Sequence, residues 1–192
     1  MRWIRSTTLL SCLLILGCGL GALDGFAPVR LTDNFHAIED GVAYRSGQLD
    51  AETFRLVIQT YGIRTIVNLR GSNPDEPWYQ QERAVAEELG VTLVDIPMSA
   101  RSLPSREVLL ALHDTIVEAE YPILIHCQAG ADRTGAAAAI WRMVIVGDSR
   151  EVASQQLSPL FGHFEAIYPH MDELVRIFQP DRDWILNDYP VP

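Results

Sequence analysis

The chain has 192 residues, of which 48% are hydrophobic and 21% are charged, and its formal net charge is −10. This length and composition are typical of one globular domain with a sizeable core. All fifteen basic residues are arginine, and the sequence has no basic run and no interleaving of basic and aromatic residues. Nucleic acid is therefore not expected as a partner, and an anionic membrane surface would repel the body of the domain.

The N-terminal segment has the pattern of an export signal. Arg2 and Arg5 precede an apolar stretch, as in the charged and apolar regions of a signal peptide. The residues before Cys18 also resemble a bacterial lipoprotein cleavage site, and an uncleaved anchor is the other alternative. We expect residues 1–26 to be an export signal, a lipoprotein signal or a membrane anchor. Residues 27–192 would then form an exported domain, periplasmic or tethered to the membrane outside the cytoplasm.

The positions of the three cysteines favour a catalytic cysteine in the exported domain. Two of the three cysteines, Cys12 and Cys18, lie in the N-terminal segment, so the domain retains only Cys127. No intramolecular disulfide can then form, even in an oxidising compartment. A single cysteine kept in an exported domain is expected to be catalytic rather than structural. Without Arg2 and Arg5 the formal charge of the chain becomes −12.

The first half of the domain alternates strands and helices. A hairpin is predicted around an Asp-Gly turn, and helix caps are predicted at Asp50, Gly62 and Gly90. The predicted elements are strands 35–38 and 42–45, a helix from Asp50 to Gly62, strand 65–69, a turn-rich loop 70–77, a helix from Pro77 to Leu89, and strand 91–96.

The second half continues this alternation. Its predicted elements are a loop 97–104, a helix capped by Ser105, a buried strand 123–125, a helix 136–146, and two helical stretches near 150–157 and 164–178. Strands separated by helices predict a three-layer α/β/α fold with a largely parallel sheet of four to five strands. Ligands bind such sheets at the carboxyl ends of the strands, where Cys127 falls.

The segment 126–135 reads His-Cys-Gln-Ala-Gly-Ala-Asp-Arg-Thr-Gly and joins the buried strand to a helix. A loop that enters a helix N-terminus directs several backbone N–H groups at one point, and the helix dipole favours negative charge there. The same field favours the thiolate of Cys127. Arg133 would add a planar fork for two phosphoryl oxygens, Gly130 permits a positive φ, and the Thr134 hydroxyl can donate to the thiolate. This pattern predicts a phosphate-binding loop that carries a nucleophile.

The pattern His126-Cys127-x5-Arg133-Thr134 resembles the signature of the cysteine-dependent protein tyrosine and dual-specificity phosphatases. Segments 44–48 and 62–70 resemble the early segments of small atypical dual-specificity phosphatases. The resemblance implies a phosphatase-type fold and hydrolysis of a phosphomonoester through a phosphocysteine, with Cys127 as nucleophile and Arg133 on the phosphoryl group. It requires no metal or cofactor. The implied substrate-binding residues are Gln128, Ala129, Gly130, Ala131, Thr134 and, at the end of a strand, Arg70.

The general acid of the family has no equivalent at its usual position in this sequence. The family's acid is an aspartate on the loop that corresponds to 97–104, and that loop has no carboxylate. Asp132 stands in a Cys-x4-Asp-Arg-Thr pattern that resembles myotubularins and a group of bacterial phosphatases, in which an aspartate at this position is thought to be the acid. We therefore expect Asp132 to be the third catalytic residue. The alternatives are Asp75 or Glu76, Asp95, and a role for Asp132 that is limited to bracing Arg133.

Three further residues have an expected position. Arg70 contacts substrate or forms an ion pair with Glu76 or Glu82, Arg45 holds loops together beneath the site, and His126 turns inward to bond the loop backbone.

The uncharged loop residues favour phosphotyrosine, so the expected function is a tyrosine or dual-specificity protein phosphatase. The expected partner is a phosphorylated protein or a small phosphomonoester. The membrane would be contacted only through the N-terminal segment, and the protein is expected to be a monomer. A phosphoinositide or inositol-phosphate phosphatase is the alternative, and a tethered phosphate-binding protein without activity is the alternative from another class.

Overall fold

The computed structural model describes residues 33–191, so the predicted export segment lies outside the described residues. One sheet of five strands forms the centre, in the order β1-β2-β5-β3-β4. Only β1 is antiparallel to its neighbour. The predicted fold class is confirmed. The strands are β1 (His36–Glu39), β2 (Ala43–Ser46), β3 (Thr65–Asn68), β4 (Thr92–Asp95) and β5 (Ile123–His126).

The helices follow the predicted caps. The Asp50 carboxylate accepts from the Thr53 N–H, the Ser105 hydroxyl accepts from the Val108 N–H, and Gly62 ends the first helix in the left-handed conformation. No helix among residues 33–191 is long and apolar enough to span a membrane. The helices are α1 (Ala51–Tyr61), α2 (Pro77–Leu89), α3 (Arg106–Glu118), α4 (Asp132–Trp141) with a π-helical turn (Arg142–Val146), α5 (Arg150–Ala153), 3₁₀ turns (Ser154–Gln156 and Pro159–Phe161), α6 (Pro169–Ile177) and α7 (Arg182–Asn187).

The predicted elements differ from the structure in three places. The helix predicted over 164–178 is wrong at its start, because Pro169 occupies the first turn of α6 and the preceding residues form turns. The helix predicted from residue 136 begins already at Asp132, inside the phosphate loop. Helix α7 was not predicted, since its six residues are too few to give a periodic apolar pattern.

The sheet separates two hydrophobic cores. Alternate residues of a strand point to opposite faces, so Ile66 and Leu124 join one core while Val67 and Ile125 join the other. The first core lies under α1 and α2, and the second lies under α3, α4, α6 and α7. Cys127 belongs to the second core and is 2% exposed.

The parallel register places four strand ends at one edge of the sheet. His126 at the end of β5 is in register with Ser46 of β2 and with Asn68 of β3, and Asn68 is in register with Asp95 of β4. The connections that leave these four strands therefore start next to one another. This edge carries the phosphate loop, as the sequence predicts.

Candidate active site

The carbonyl groups of the phosphate loop are bonded by donors from outside the loop. The Gln48 N–H donates to the carbonyl of Gln128 over 3.0 Å, and the Asn34 side-chain amide donates to that of Ala129 over 3.0 Å. The Arg45 guanidinium donates to the carbonyl of Gly130 over 2.8 Å. Each of these peptide oxygens is thus held on the outer side of the loop.

The N–H groups of the loop must point the opposite way. In a planar trans peptide the C=O and the following N–H are antiparallel, and the single cis bond in the described chain is Tyr121–Pro122. The N–H groups of Ala129, Gly130 and Ala131 therefore face the inside of the loop. None of the three donates to another described residue. The arrangement is a ready-made cradle for an anion at the start of α4.

Arg45 supports the cradle from beneath, as the sequence analysis predicts. Its side chain is fully buried, its guanidinium also donates to the carbonyl and side-chain oxygens of Gln156 over 2.7 and 2.8 Å, and it lies 4.1 Å from the centre of the Phe161 ring. Burial lowers the pKa of the Arg45 guanidinium to about 10, and the charge of Cys127 opposes that shift. Arg45 is therefore still a cation at neutral pH.

Two glycines permit the close approaches that this loop needs. Gly130 has φ +69°, and a Cβ there would lie 2.5 Å from the backbone nitrogen of Gly47. A Cβ on Gly135 would lie 2.8 Å from the carbonyl oxygen of Gln156. Any side chain at either position would push the loop or α4 away from its support.

The predicted nucleophile Cys127 and its predicted helper Thr134 are both buried. Cys127 is a free, buried cysteine. The hydroxyl of Thr134 is buried and has no hydrogen-bond partner among the described residues. A buried hydroxyl without a partner is destabilising. An acceptor such as the thiolate of Cys127 would satisfy it, in the role that the sequence predicts.

Arg133 is oriented by two loops that follow other strands. Its Nη1 donates to the carbonyl of Leu69 over 3.2 Å and to that of Met98 over 3.3 Å. These bonds engage one nitrogen of the guanidinium and fix the plane of the group. The predicted acid-loop segment therefore has a defined role here, since Met98 belongs to it.

Arg70 lies beside Arg133 in an open pocket. The pocket has a volume of about 280 Å³ and is lined by Arg70, Asn73, Glu76, Trp78, Gln128 and Arg133. The Arg70 guanidinium stacks 3.3 Å from the centre of the Trp78 ring and donates to the Gln48 side-chain oxygen over 2.8 Å. Partial burial, and next the charge of Arg133, lower the pKa of Arg70. The pocket therefore combines two cations with an aromatic wall.

The ion pair predicted as an alternative for Arg70 is replaced by an indirect contact. Glu82 is fully buried and binds His126 Nε2 over 2.8 Å and the Gln48 side-chain amide over 3.0 Å. His126 turns inward, as predicted, and its Nδ1 lies 3.4 Å from the carbonyl oxygen of Cys127. Arg70 reaches Glu82 only through Gln48. The sequence analysis missed Gln48, although it lies in a segment that resembles the family.

Asp132 is bonded to His163 and is not among the residues that line the pocket of Arg70 and Arg133. Its carboxylate lies 2.8 Å from Nδ1 of His163, a residue that is 2% exposed, and Nε2 of His163 lies 2.8 Å from Asp172. No hydrogen bond joins Asp132 to Arg133 among the described residues. The alternative in which Asp132 only braces Arg133 is therefore not supported by a direct contact. The catalytic role of Asp132 stays a prediction. Sequence reasoning missed His163, which is 31 residues away along the chain.

The other acid candidates lie in different surroundings. Asp95 accepts from the Asn68 side-chain amide over 2.8 Å and also binds the Tyr79 hydroxyl, so it joins β4 to β3 and to α2. Asp75 is exposed, and Glu76 is exposed at the rim of the pocket. Of these three, Glu76 alone lines the pocket that contains Arg133.

Comparisons with known proteins agree with this geometry. Residues 22–166 match the family described as "PTP-NADK: DSP-PTPase phosphatase fused to NAD+ Kinase". The chain belongs to this family of DSP-PTPase phosphatases. The match covers the phosphate loop, Arg45, Arg70 and the segment up to His163.

Two curated relatives are phosphatases by name. Dual specificity protein phosphatase TpbA of Pseudomonas aeruginosa is 30% identical over 115 residues, which cover 59% of this chain and 49% of that protein. Inositol diphosphatase DSP3 of Arabidopsis thaliana is 30% identical over 137 residues, which cover 69% of this chain and 61% of that protein. The chain therefore spans about half to three fifths of the length of these relatives.

Solved structures share the fold. The crystal structure of P. aeruginosa TpbA has a TM-score of 0.61 and 26% identity, covering 81% of this chain and 89% of that one. A cysteine-to-serine variant of TpbA in complex with pTyr has a TM-score of 0.58 and 26% identity, covering 77% and 87%. The core catalytic domain of the PP-IP phosphatase SIW14 from S. cerevisiae, with a TM-score of 0.63 and 23% identity over 80% and 90%, agrees in fold.

The position of Arg133 leads to a first prediction for this phosphatase family member. Lysine keeps the charge of Arg133 but cannot donate to Leu69 and Met98 while also presenting two parallel N–H groups to a phosphoryl group. We expect Arg133→Lys to lower kcat/KM by about 10²–10³, as for the loss of one preorganised donor.

The matched control is Arg101→Lys, which changes an exposed arginine on the same acid-loop segment as Met98. It should leave kcat/KM within threefold of the wild-type value. Thermal melting of both variants checks the fold. A loss below threefold for Arg133→Lys would mean that this guanidinium does not contact the phosphoryl group.

Proposed function

We propose that the protein is a phosphomonoester hydrolase that acts through a phosphocysteine on phosphotyrosine in a protein, as a tyrosine or dual-specificity phosphatase. The observation that carries the proposal is the cradle of N–H groups, which lies between Cys127 and Arg133 along the chain and faces inward because the loop carbonyls are bonded from outside. The relative TpbA, which is named a dual specificity protein phosphatase and has a structure in complex with pTyr, supports the choice of substrate.

The reaction has two steps. The Cys127 thiolate attacks phosphorus in line, the bond to the leaving oxygen breaks, and a carboxyl group gives that oxygen a proton. Water then attacks the phosphocysteine, its proton returns to the carboxylate, and phosphate leaves as the thiolate forms again. The inward N–H groups and Arg133 balance the charge on the phosphoryl oxygens in both steps. The Thr134 hydroxyl stabilises the departing thiolate.

An inositol phosphate or diphosphate is the second candidate substrate. The pocket places Arg70 next to Arg133, and two cations favour a substrate that carries another anionic group beside the scissile phosphate. The relative DSP3 is named an inositol diphosphatase. The apolar wall of Trp78 suits the ring of phosphotyrosine instead, and comparison of kcat/KM for the two substrate classes decides between them.

The test of the activity is hydrolysis of para-nitrophenyl phosphate by the purified protein with reductant. We expect turnover in the wild type and less than a few per cent of it in Cys127→Ser, because the alcohol stays protonated where the thiol ionises. Cys127→Ser should still bind tungstate, since the N–H cradle is intact. Tungstate binding without wild-type turnover would identify a phosphate-binding protein without activity, and turnover in Cys127→Ser would exclude Cys127 as nucleophile.

The proton donor is the subject of a further prediction, with Asp132 as the proposed acid. Asp132→Asn keeps a polar group beside His163 but removes the proton. The substitution should lower kcat only slightly with para-nitrophenyl phosphate, because its leaving oxygen is a weak base. With phosphotyrosine it should lower kcat by about 10²–10⁴. The basic limb of the pH–rate profile should also flatten.

Asp172→Asn is the matched control, because Asp172 binds the other ring nitrogen of His163. It should show no dependence on the leaving group. Equal losses of Asp132→Asn on both substrates would contradict the assignment to Asp132. A leaving-group dependence in Glu76→Gln instead would assign the proton to the pocket rim.

We also propose that the domain is exported through residues 1–26, either cleaved, lipidated at Cys18 or retained as an anchor. Arg2 and Arg5 before the apolar stretch support this, as does the lone Cys127 of the domain. Residues 1–32 fused to a phosphatase reporter that is active only outside the cytoplasm should give activity in bacterial cells. Changing Leu13 and Leu14 to Arg should abolish it. Equal reporter activity of both fusions would contradict export.

A further inference from the structure

Glu82 is a buried carboxylate that is bonded on both of its oxygens. It lies on α2, is fully buried, and binds His126 Nε2 through Oε1 and the Gln48 side-chain nitrogen through Oε2, over 2.8 and 3.0 Å. Burial of a carboxylate is strongly unfavourable unless it is paired and hydrogen-bonded. The pairing of both oxygens explains how Glu82 is tolerated, but it does not explain why an acid lies there.

The hydrogen bond to Glu82 fixes the orientation of the Gln48 side-chain amide. An ionised carboxylate only accepts, so Gln48 must present its NH₂ group to Glu82. Its oxygen then faces the other way, where it accepts from Arg70 Nη1 over 2.8 Å. Glu82 thus selects which end of the Gln48 amide meets Arg70. The opposite orientation would place two donors against each other.

Two residues of α2 restrict the orientation of the Arg70 guanidinium, Trp78 directly and Glu82 through Gln48. Trp78 lies one helical turn before Glu82 on the same helix, and its ring stacks 3.3 Å from the Arg70 guanidinium. Stacking fixes the plane of the guanidinium, and the bond to Gln48 fixes its rotation within that plane. Nη1 is used by Gln48, so the remaining N–H groups are free to face the pocket that Arg70 shares with Arg133.

We propose that Glu82 is a positioning residue that orients Arg70, through Gln48, to bind a second anionic group of the substrate beside the phosphoryl group held by Arg133. The inference rests on the proposed phosphatase function and adds a residue that determines substrate selectivity. An anion placed between Arg70 and Arg133 is attracted by both and offsets their mutual repulsion. A single phosphate in the loop needs only Arg133 and the N–H groups.

The test compares two inhibitors of para-nitrophenyl phosphate hydrolysis. Inorganic phosphate fills the loop only, whereas inorganic pyrophosphate brings a second anionic group. In the wild type we expect pyrophosphate to have a Ki about tenfold or more below that of phosphate. Arg70→Met and Glu82→Gln should each bring the ratio of the phosphate Ki to the pyrophosphate Ki to near one. Arg70→Met removes the second cation, and a glutamine at 82 lets the Gln48 amide turn its NH₂ group toward Arg70.

A double-mutant cycle separates positioning from a general structural effect. In the Arg70→Met background, Glu82→Gln should leave the ratio of inhibition constants unchanged. Glu87→Gln is the matched control, because it removes the same charge from an exposed site on α2. It should keep the wild-type ratio. A further fall in the ratio when Glu82→Gln is added to Arg70→Met would overturn the inference, as would a normal ratio in Glu82→Gln alone.

Gln48→Met provides a second route if Glu82→Gln does not fold. It breaks the link to Arg70 while it leaves the Glu82–His126 contact in place, and it should also reduce the ratio to near one. A wild-type ratio in Gln48→Met would contradict the inference. Absence of turnover in the wild type would instead refute the proposed function, so the two failures are distinguishable.

Discussion

The site depends on peptide geometry at the phosphate loop. Donors from Asn34, Arg45 and Gln48 hold three consecutive carbonyl oxygens outward. The following N–H groups therefore face inward and have no partner within residues 33–191. Unpaired N–H groups are unfavourable, and a loop free to relax would turn them toward other acceptors. The bonds from outside prevent this. The loop is therefore preorganised before substrate arrives, which is the condition for strong electrostatic stabilisation of a transition state.

A strongly acidic chain can still bind a phosphate because the opposing charges act over different distances. Surface carboxylates act through water and are screened beyond about 8–10 Å at physiological salt. Arg70 and Arg133 line the pocket and act at contact distance, where one interaction is several times stronger. Two acids close to the loop are also paired with histidines, since Glu82 binds His126 and Asp132 binds His163. Local charge therefore determines which ligand the edge of the sheet accepts.

Sequence reasoning predicted those features that depend on neighbours along the chain. The cysteine, the glycine and the arginine of the loop are fixed by the passage from a strand to a helix, and Asp50 and Ser105 cap helices within three residues. The remainder depends on contacts across the sheet. Glu82 meets His126 over 44 residues, Asn34 meets Ala129 over 95, and His163 meets Asp132 over 31. No local sequence pattern indicates these pairs, because each residue alone is indistinguishable from an ordinary polar residue of the surface or the core.

The connection between β3 and α2 contributes side chains to the pocket of Arg133, whereas the connection between β4 and α3 contributes none. The latter segment contributes the Met98 carbonyl, which only orients Arg133. The former contributes Arg70, and α2 begins at Pro77, so that Trp78 comes under the guanidinium and Glu82 follows one turn later. A shift of this helix by one residue would move both side chains about 100° around its axis. The proposed selectivity for substrate is therefore coupled to the start of α2, far along the chain from the predicted nucleophile Cys127.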